Sequence, residues 1–432
     1  MNKRLYACAL LGLALWKPAT TLATVTRVND VATSAAASAE SINPVIEWNR
    51  TLLVILRTPG AQPATIHSTR SFAILHAAIF DAVNAIDRTY VPYAVKLPHV
   101  PRTASIQAAT DEAAHDVLAS LYPTFASTLD AELQQDLDPI PDSHDKTEGI
   151  AVGEAVATAI LALRGDDGSA ATLPPFLPIN QPGSYQLTPP NFAPADFIQW
   201  SRVTPFAIAS AREFLSAPPP ELTSERYTQS FDEVKSVGLI TSTTRTPDQT
   251  QIGKFWNGNI QDFWNEIAQT AAIEHQLGIV RSAHLFALLN VSMADTVIAF
   301  YETKYTYDLW RPVTAIQMAG TDNNPQTAPD TTWVPLSTKT APDPSYPGAH
   351  SAISAAAGWV LRTELGDEIN LDVTSESLPG VTRHFDSFSD AALEAGLSRI
   401  YAGQHFRFDH EAGERLGRRV AHSILRSTLK NR

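Results

Sequence analysis

From about Gln276 to Tyr307 the chain carries a long run, most of it IVRSAHLFALLNVSMADTVIAFYETKYTY, with few charges and no proline. A continuous helix that is apolar on nearly every side belongs in a core. The rest of the chain is helical in its periodicity too, and the expected fold class is all-α. Phe72, Leu75, Ile79, Val83 and Ile86 recur at helical spacing, and Val152, Val156, Leu161 and Leu163 suggest a second stripe. Leu416, Val420 and Ile424 mark a C-terminal helix, and another begins at Ser351 and runs to Leu365. Residues 165–220 differ, with Pro174-Pro175, Pro189-Pro190 and Pro218-Pro219-Pro220. They are read as a long ordered loop that wraps the helices and shapes a pocket mouth. With 432 residues and 44% hydrophobic content, the chain can bury one large core or two packed bundles.

The N-terminus reads as an export signal over residues 1–23, with Asn2-Lys3-Arg4, an apolar run from Leu5 to Trp16, and a cleavage site around Thr21-Leu22-Ala23. Residues 24–41 are a Thr/Ala/Ser-rich flexible linker, and 42–432 form a single helical domain whose motif-bearing half spans about 270–427. An exported, periplasmic or secreted protein is expected. The one cysteine, Cys8, lies inside the signal, so the mature chain has no thiolate for haem, iron–sulfur or nucleophilic chemistry. A net charge of −13 without any basic run argues against nucleic acid. No other apolar run reaches about 18 residues, so no transmembrane bundle is expected.

Against that acidic background three clusters stand out: Lys304 with Arg311-Pro312, Pro347 to His350, and Ser398-Arg399 with Gly403, His405 and Asp409. Lys304 and Arg311 are seven residues apart, two helical turns, which would put both cations on one helix face with Pro312 at its end. Asp409 follows His405 by four residues, so on a helix its carboxylate reaches the imidazole and fixes the tautomer. Lys304, Arg311 and Arg399 supply the charge that a buried phosphate or vanadate needs. His350 is left free to shuttle protons.

In these clusters, KYTYDLWRP, PGAH and SRIYAGQHFRFD, the chain resembles the vanadium-dependent haloperoxidases and the related acid phosphatases of the type 2 phosphatidic acid phosphatase superfamily. SFAILHAAIFDAVNAI, WSRVTPFAIAS and TTRTPDQTQIGKFW resemble segments of bacterial members, so the likeness runs from about Ile46 to Ser427. The resemblance implies two packed four-helix bundles, one vanadate per chain, and hydrogen peroxide as co-substrate, with a halide and a small organic acceptor. It implies that Lys304, Arg311 and Arg399 hold equatorial oxygens, that His405 bonds the metal axially, that Asp409 orients it, and that His350 is the acid/base. Gly348 stands where the family has serine and Ala349 where it has glycine. The Ala349 amide can still donate, and Ser351 is a candidate to replace the missing hydroxyl. A homodimer is expected by analogy.

Two alternatives stay open. A secreted acid phosphatase would use His405 as nucleophile, forming a phosphohistidine on a phosphate ester. A drifted, non-catalytic oxyanion binder is motivated by Gly348. Other residues have plainer readings: His76, Asp81 and His115 as hydrogen-bonded helix groups, Tyr301 as core, and Arg407, Arg415, Arg418 and Arg419 as a solvated face. His405, Asp409 and His410 do not make a zinc triad, because neighbours on a helix point about 100° apart.

Overall fold

A computed structural model describes residues 43–432; the export signal and linker read from the sequence lie outside the described residues. The described residues form one compact unit. Helix α1 (Pro44–Arg57) is followed by α2 (Thr69–Asp87), α3 (Ile106–Leu121), α4 (Ala126–Leu137) and α5 (His144–Arg164). After the Pro-rich segment come α6 (Glu225–Val237), α7 (Pro247–Phe255), α8 (Ile260–Glu274), α9 (Ile279–Tyr307) and α10 (Pro312–Gln317). The chain ends with α11 (Ala349–Leu365), an antiparallel ribbon of β1 (Glu368–Thr374) and β2 (Thr382–Ser387), α12 (Phe388–Tyr401) and α13 (Arg407–Ser427).

The long apolar helix is α9, and its side chains are buried without interruption from Ser282 to Tyr301. By length and composition it could cross a membrane, which the sequence reading overlooked, yet here it is a core helix. On one side it packs against α2, and α2, α3 and α5 pack on one another; on the other it meets α11 and α13. Side chains from both groups share one hydrophobic core. The helical fold class is as expected, with the β1–β2 ribbon as a small addition. Ile369, Leu371 and Val373 are its inward positions, a period-two pattern that was legible in the sequence. In α5 the buried stripe is Val152, Val156 and Ile160; Leu163 is exposed, against expectation.

The Pro-rich segment, with short 3₁₀ turns at Trp200–Arg202 and Ala211–Phe214, is held by buried charge. Asp295 of α9 accepts from the backbone N–H groups of Phe206, Ala207 and Ile208 at 2.6, 2.7 and 2.8 Å. Asp167 pairs with Arg70 at 2.7 Å and Arg164 at 2.9 Å. The same segment clamps the chain after α9, through Tyr185 N–H to the Asp308 carbonyl and Trp310 N–H to the Gly183 carbonyl. In this way the loop fixes where Arg311 emerges.

Helices α11 and α13 approach so closely that a Cβ at Gly417 would lie 2.0 Å from the Ala352 carbonyl oxygen. That contact, with a second at Gly413 where a Cβ would lie 2.3 Å from the Gly348 carbonyl oxygen, sets the start of α11 against the first half of α13; the first turns of the two helices carry His350 and Asp409.

Candidate active site

A cavity of about 320 Å³ is lined by Arg311, Asp343, His350, Arg399 and His405 together with aromatic groups including Phe197 and Tyr301. Each polar wall residue arrives on a different element. Arg311 is not on the helix of Lys304, as the two-turn spacing suggested. Helix α9 stops at Tyr307 because Asp308 turns left-handed (φ 51°), and Arg311 is extended, immediately before Pro312 opens α10. The pair still converges, because both side chains reach Asp343. Lys304, fully buried and not on the cavity wall, donates to the Pro344 and Ser345 carbonyls and pairs with Asp343 at 3.5 Å. Arg311 donates through Nε to the Asp343 carbonyl at 2.8 Å and through Nη2 to the Asp343 carboxylate. Burial would raise the Asp343 carboxyl, but the charges of Lys304 and Arg311 outweigh it and hold the group below its ordinary value.

His405 follows a turn at Gly403, whose φ of +75° and close approach to the Gly238 carbonyl exclude a side chain. The turn folds the chain back, so that the N–H of Gln404 and of His405 both reach the Arg399 carbonyl. Arg399 and His405 are thereby brought to one wall. His405 Nδ1 donates to Asp409 Oδ2 at 3.1 Å. Helix α13 begins only at Arg407, so the contact spans its first turn instead of running along a helix. Asp409 Oδ2 also accepts from Ser345 Oγ at 2.5 Å and Phe406 N–H at 3.0 Å. With Nδ1 so engaged, the Nε2 lone pair accepts from Arg311 Nη1 at 3.1 Å. Burial, followed by the charges of Arg311, Lys304 and Arg399, holds His405 well below the ordinary histidine value. It is a neutral imidazole, the form that serves as ligand or nucleophile.

His350 is not free. Its Nε2 donates to the Trp256 carbonyl at 3.0 Å, which leaves the Nδ1 lone pair as its only acceptor. Burial and the neighbouring Arg399 keep it neutral. The N–H of Gly348 is taken by the Asp409 carbonyl at 2.9 Å, so Gly348 braces the loop and cannot itself donate to an anion; Ala349 does line the cavity. Ser351 does not replace the missing hydroxyl, because its Oγ is hydrogen-bonded to His410 Nδ1 at 2.9 Å. Arg399 donates to Asn257 at 2.9 Å, while its Nε is buried without a hydrogen-bond partner. Burial and the charge of Arg311 lower its value to about 9.

Sequence reasoning missed Asp343, Ser345 and Asn257. Asp343 is the only acidic residue in the stretch 341–350, and that is the sole hint the sequence offers. Of the residues with plainer readings, His76 is hydrogen-bonded to Asn49 at 2.8 Å, and Asp81 accepts from the backbone of Tyr93, Ala94 and Val95. His115 sits between Asp116 and Asp130.

As a receptor the site offers buried cations, an Arg399 N–H lacking a partner, and a neutral, carboxylate-anchored imidazole. That donor set fits a tetrahedral or five-coordinate oxyanion bound through one nitrogen. Residues 284–431 match the family model described as the VCPO second helical-bundle domain. The chain is 24% identical over 282 residues to vanadium chloroperoxidase of Curvularia inaequalis, a match covering 49% of this chain and 46% of that protein. It thus spans less than half the length of that relative. Among solved structures it is similar to a bacterial vanadium-dependent iodoperoxidase, with a TM-score of 0.76 at 26% identity over 90% of this chain and 96% of the other. A holo-type bacterial vanadium-dependent chloroperoxidase shares the fold, with a TM-score of 0.66 at 17% identity over 85% and 93% of the two chains.

Proposed function

The chain belongs to the vanadium-dependent haloperoxidase family, and from that premise we propose that it uses vanadate and hydrogen peroxide to oxidise halide, giving hypohalous acid or a halogenated organic product. The observation that carries this reading is the neutral His405, anchored by Asp409 through Nδ1, with Nε2 set among Arg311 and Arg399 at the cavity wall. Arg399 and the Ala349 amide would hold the oxyanion from the wall, and Arg311 would do so once it releases Nε2. Lys304 acts from behind, as a buried charge. Bound vanadate supplies Lewis-acid chemistry that polarises peroxide toward halide. His350 Nδ1, its only free acceptor, takes the proton that hydrogen peroxide gives up. The aromatic wall around Phe197 and Tyr301 keeps water away from the oxidant and faces the organic acceptor.

The test is halogenation of a dione dye by the purified mature chain with peroxide and iodide or bromide, with and without orthovanadate, beside a chromogenic phosphate ester without vanadate. Turnover that requires vanadate and is lost in His405→Ala is the expected result. Ester hydrolysis blocked by vanadate, with no halogenation, would replace it with a phosphatase that forms a phosphohistidine at His405. Silence in both assays would leave only an oxyanion-binding protein. Export, read from residues 1–23, is part of the proposal and is checked by sequencing the N-terminus of the natural mature form.

A further inference from the structure

We infer that Asp343 is a resident anion of the cradle, and that it sets which charge of oxyanion the site accepts. The inference rests on the oxyanion-binding reading above and goes beyond it. Asp343 lies on the cavity wall, 5% exposed, and its carboxylate pairs with both Arg311 and Lys304. Every donor nitrogen of Arg311 is spoken for: Nε by the Asp343 carbonyl, Nη2 by the Asp343 carboxylate, and Nη1 by the Gln404 carbonyl and His405 Nε2. Lys304 has no donation to spare, with two backbone carbonyls and Asp343 around it. Of the three cations, Arg399 alone has a buried nitrogen, Nε, with no partner at all; Arg311 has four hydrogen bonds for its five N–H groups, three of its four partners being the Asp343 carbonyl, the Asp343 carboxylate and His405.

A carboxylate is a planar analogue of part of an oxyanion's face, and here it sits on the cations such a ligand needs. An incoming anion must share Arg311 with it or displace it. Either way the ligand feels a fixed negative charge at close range, in a setting too dry to screen it. Three cations, Lys304, Arg311 and Arg399, face two carboxylates, Asp343 and Asp409, so the cradle retains a small positive excess. A doubly charged anion gives up far more hydration on entering than a singly charged one, and so small an excess offsets that cost only for the singly charged ligand. Removing Asp343 raises the attraction in proportion to the charge of the ligand. A residue that merely oriented Arg311 would do the opposite, since its loss would weaken every anion alike.

The experiment is calorimetric titration of the purified chain, without peroxide or halide, using tetrahedral anions whose charge does not change near neutral pH: perrhenate, singly charged, and sulfate, doubly charged. Native protein is expected to bind perrhenate more tightly than sulfate. Asp343→Asn should gain at least about tenfold for perrhenate and roughly the square of that gain for sulfate, reversing or levelling the preference. Asp343→Ala is the second variant, and thermal melting reports whether each one folds. Equal gains for both anions, or weaker binding of both, would overturn the inference while leaving the oxyanion site itself in place. If native protein preferred sulfate, it would fail without any variant. If no form bound either anion or orthovanadate, the oxyanion-binding reading would fail with it.

Discussion

Asp409→Asn separates the orienting role of the carboxylate from its part in the fold. In the native site one oxygen, Oδ2, takes Ser345 Oγ at 2.5 Å, Phe406 N–H at 3.0 Å and His405 Nδ1 at 3.1 Å, while Oδ1 is buried without a partner. An asparagine with its oxygen in the Oδ2 position keeps all three donors and puts its NH₂ where no bond existed. The fold should survive, at a cost of about 1 kcal/mol or so for the unpaired amide. What disappears is the negative charge behind the imidazole. A charge-assisted hydrogen bond is roughly twice as strong as a neutral one, and losing such a partner behind a metal-binding histidine costs about 10–100-fold in affinity. Orthovanadate affinity of the ligand-free protein, from reactivation of peroxidase activity and from calorimetry, should fall within that range. Burial lifts the Asp409 carboxyl above the ordinary carboxylate range, against the Ser345 and Phe406 donors. As pH falls through the raised value, native protein loses the charge that the variant never has. The affinity ratio between the two should therefore be largest in mild alkali and shrink in acid. A variant that binds vanadate within about twofold of native at every pH would refute the reasoning.

Two further predictions concern stability. Gly417→Ala puts a methyl 2.0 Å from the Ala352 carbonyl oxygen, a backbone atom that cannot turn aside, so the urea midpoint should drop by the equivalent of about 3 kcal/mol or more; an unchanged midpoint would mean that α11 and α13 are not locked as described. Burial raises the Asp111 carboxyl to about 7 despite the hydrogen bond from Trp48 Nε1 at 3.0 Å. A carboxyl with a folded value above its unfolded one, about 3.9, binds more protons in the folded chain, so its contribution is full below about pH 4 and is lost as pH rises toward 7. Asp111→Asn should then raise the melting temperature at pH 8, by the equivalent of about 1–4 kcal/mol, and leave it unchanged near pH 4. A shift that is the same at both values would show that Asp111 is not held protonated.

The clusters of chemistry were legible because their residue types are rare together in an acidic chain, and the structure does bring Arg311, His350, Arg399 and His405 to one cavity. The local geometry behind that expectation was partly wrong. Lys304 and Arg311 were placed on one helix by their spacing, and the helix ends between them at a left-handed Asp308, a turn that no glycine announces. Convergence survived because it is enforced by Asp343 and by the Pro-rich segment, both distant in sequence from Lys304. Its place just after His350 makes Ser351 a candidate substitute hydroxyl, but α11 turns it toward α13 and His410. Nothing near His350 in sequence shows a partner for it, yet its tautomer depends on the Trp256 carbonyl at the end of α7. Spacing reports what one element can align; it is silent on contacts made across elements, and those decide which atoms of a site are already committed.

That difference bears on how an acidic protein keeps three cations away from water. Lys304 is wholly buried, Arg311 is 2% exposed and Arg399 8%, a placement that costs several kcal/mol per ion unless each charge is answered. Asp343 answers two of them directly. The carbonyls of Pro344, Ser345 and Gln404 answer more, and Asn257 takes Arg399. The charges of the cradle are thus nearly satisfied by the protein itself. For the same reason the ligand has to compete for them. A high-affinity receptor would leave those donors unpaired at a cost in folding; this chain keeps its fold and leaves chiefly the Arg399 N–H and a small positive excess for the anion. Oxyanion affinity and stability should therefore move in opposite directions when Asp343 is replaced, and in the same direction when Asp409 is. One residue occupies the site, whereas the other holds the imidazole that the anion would meet.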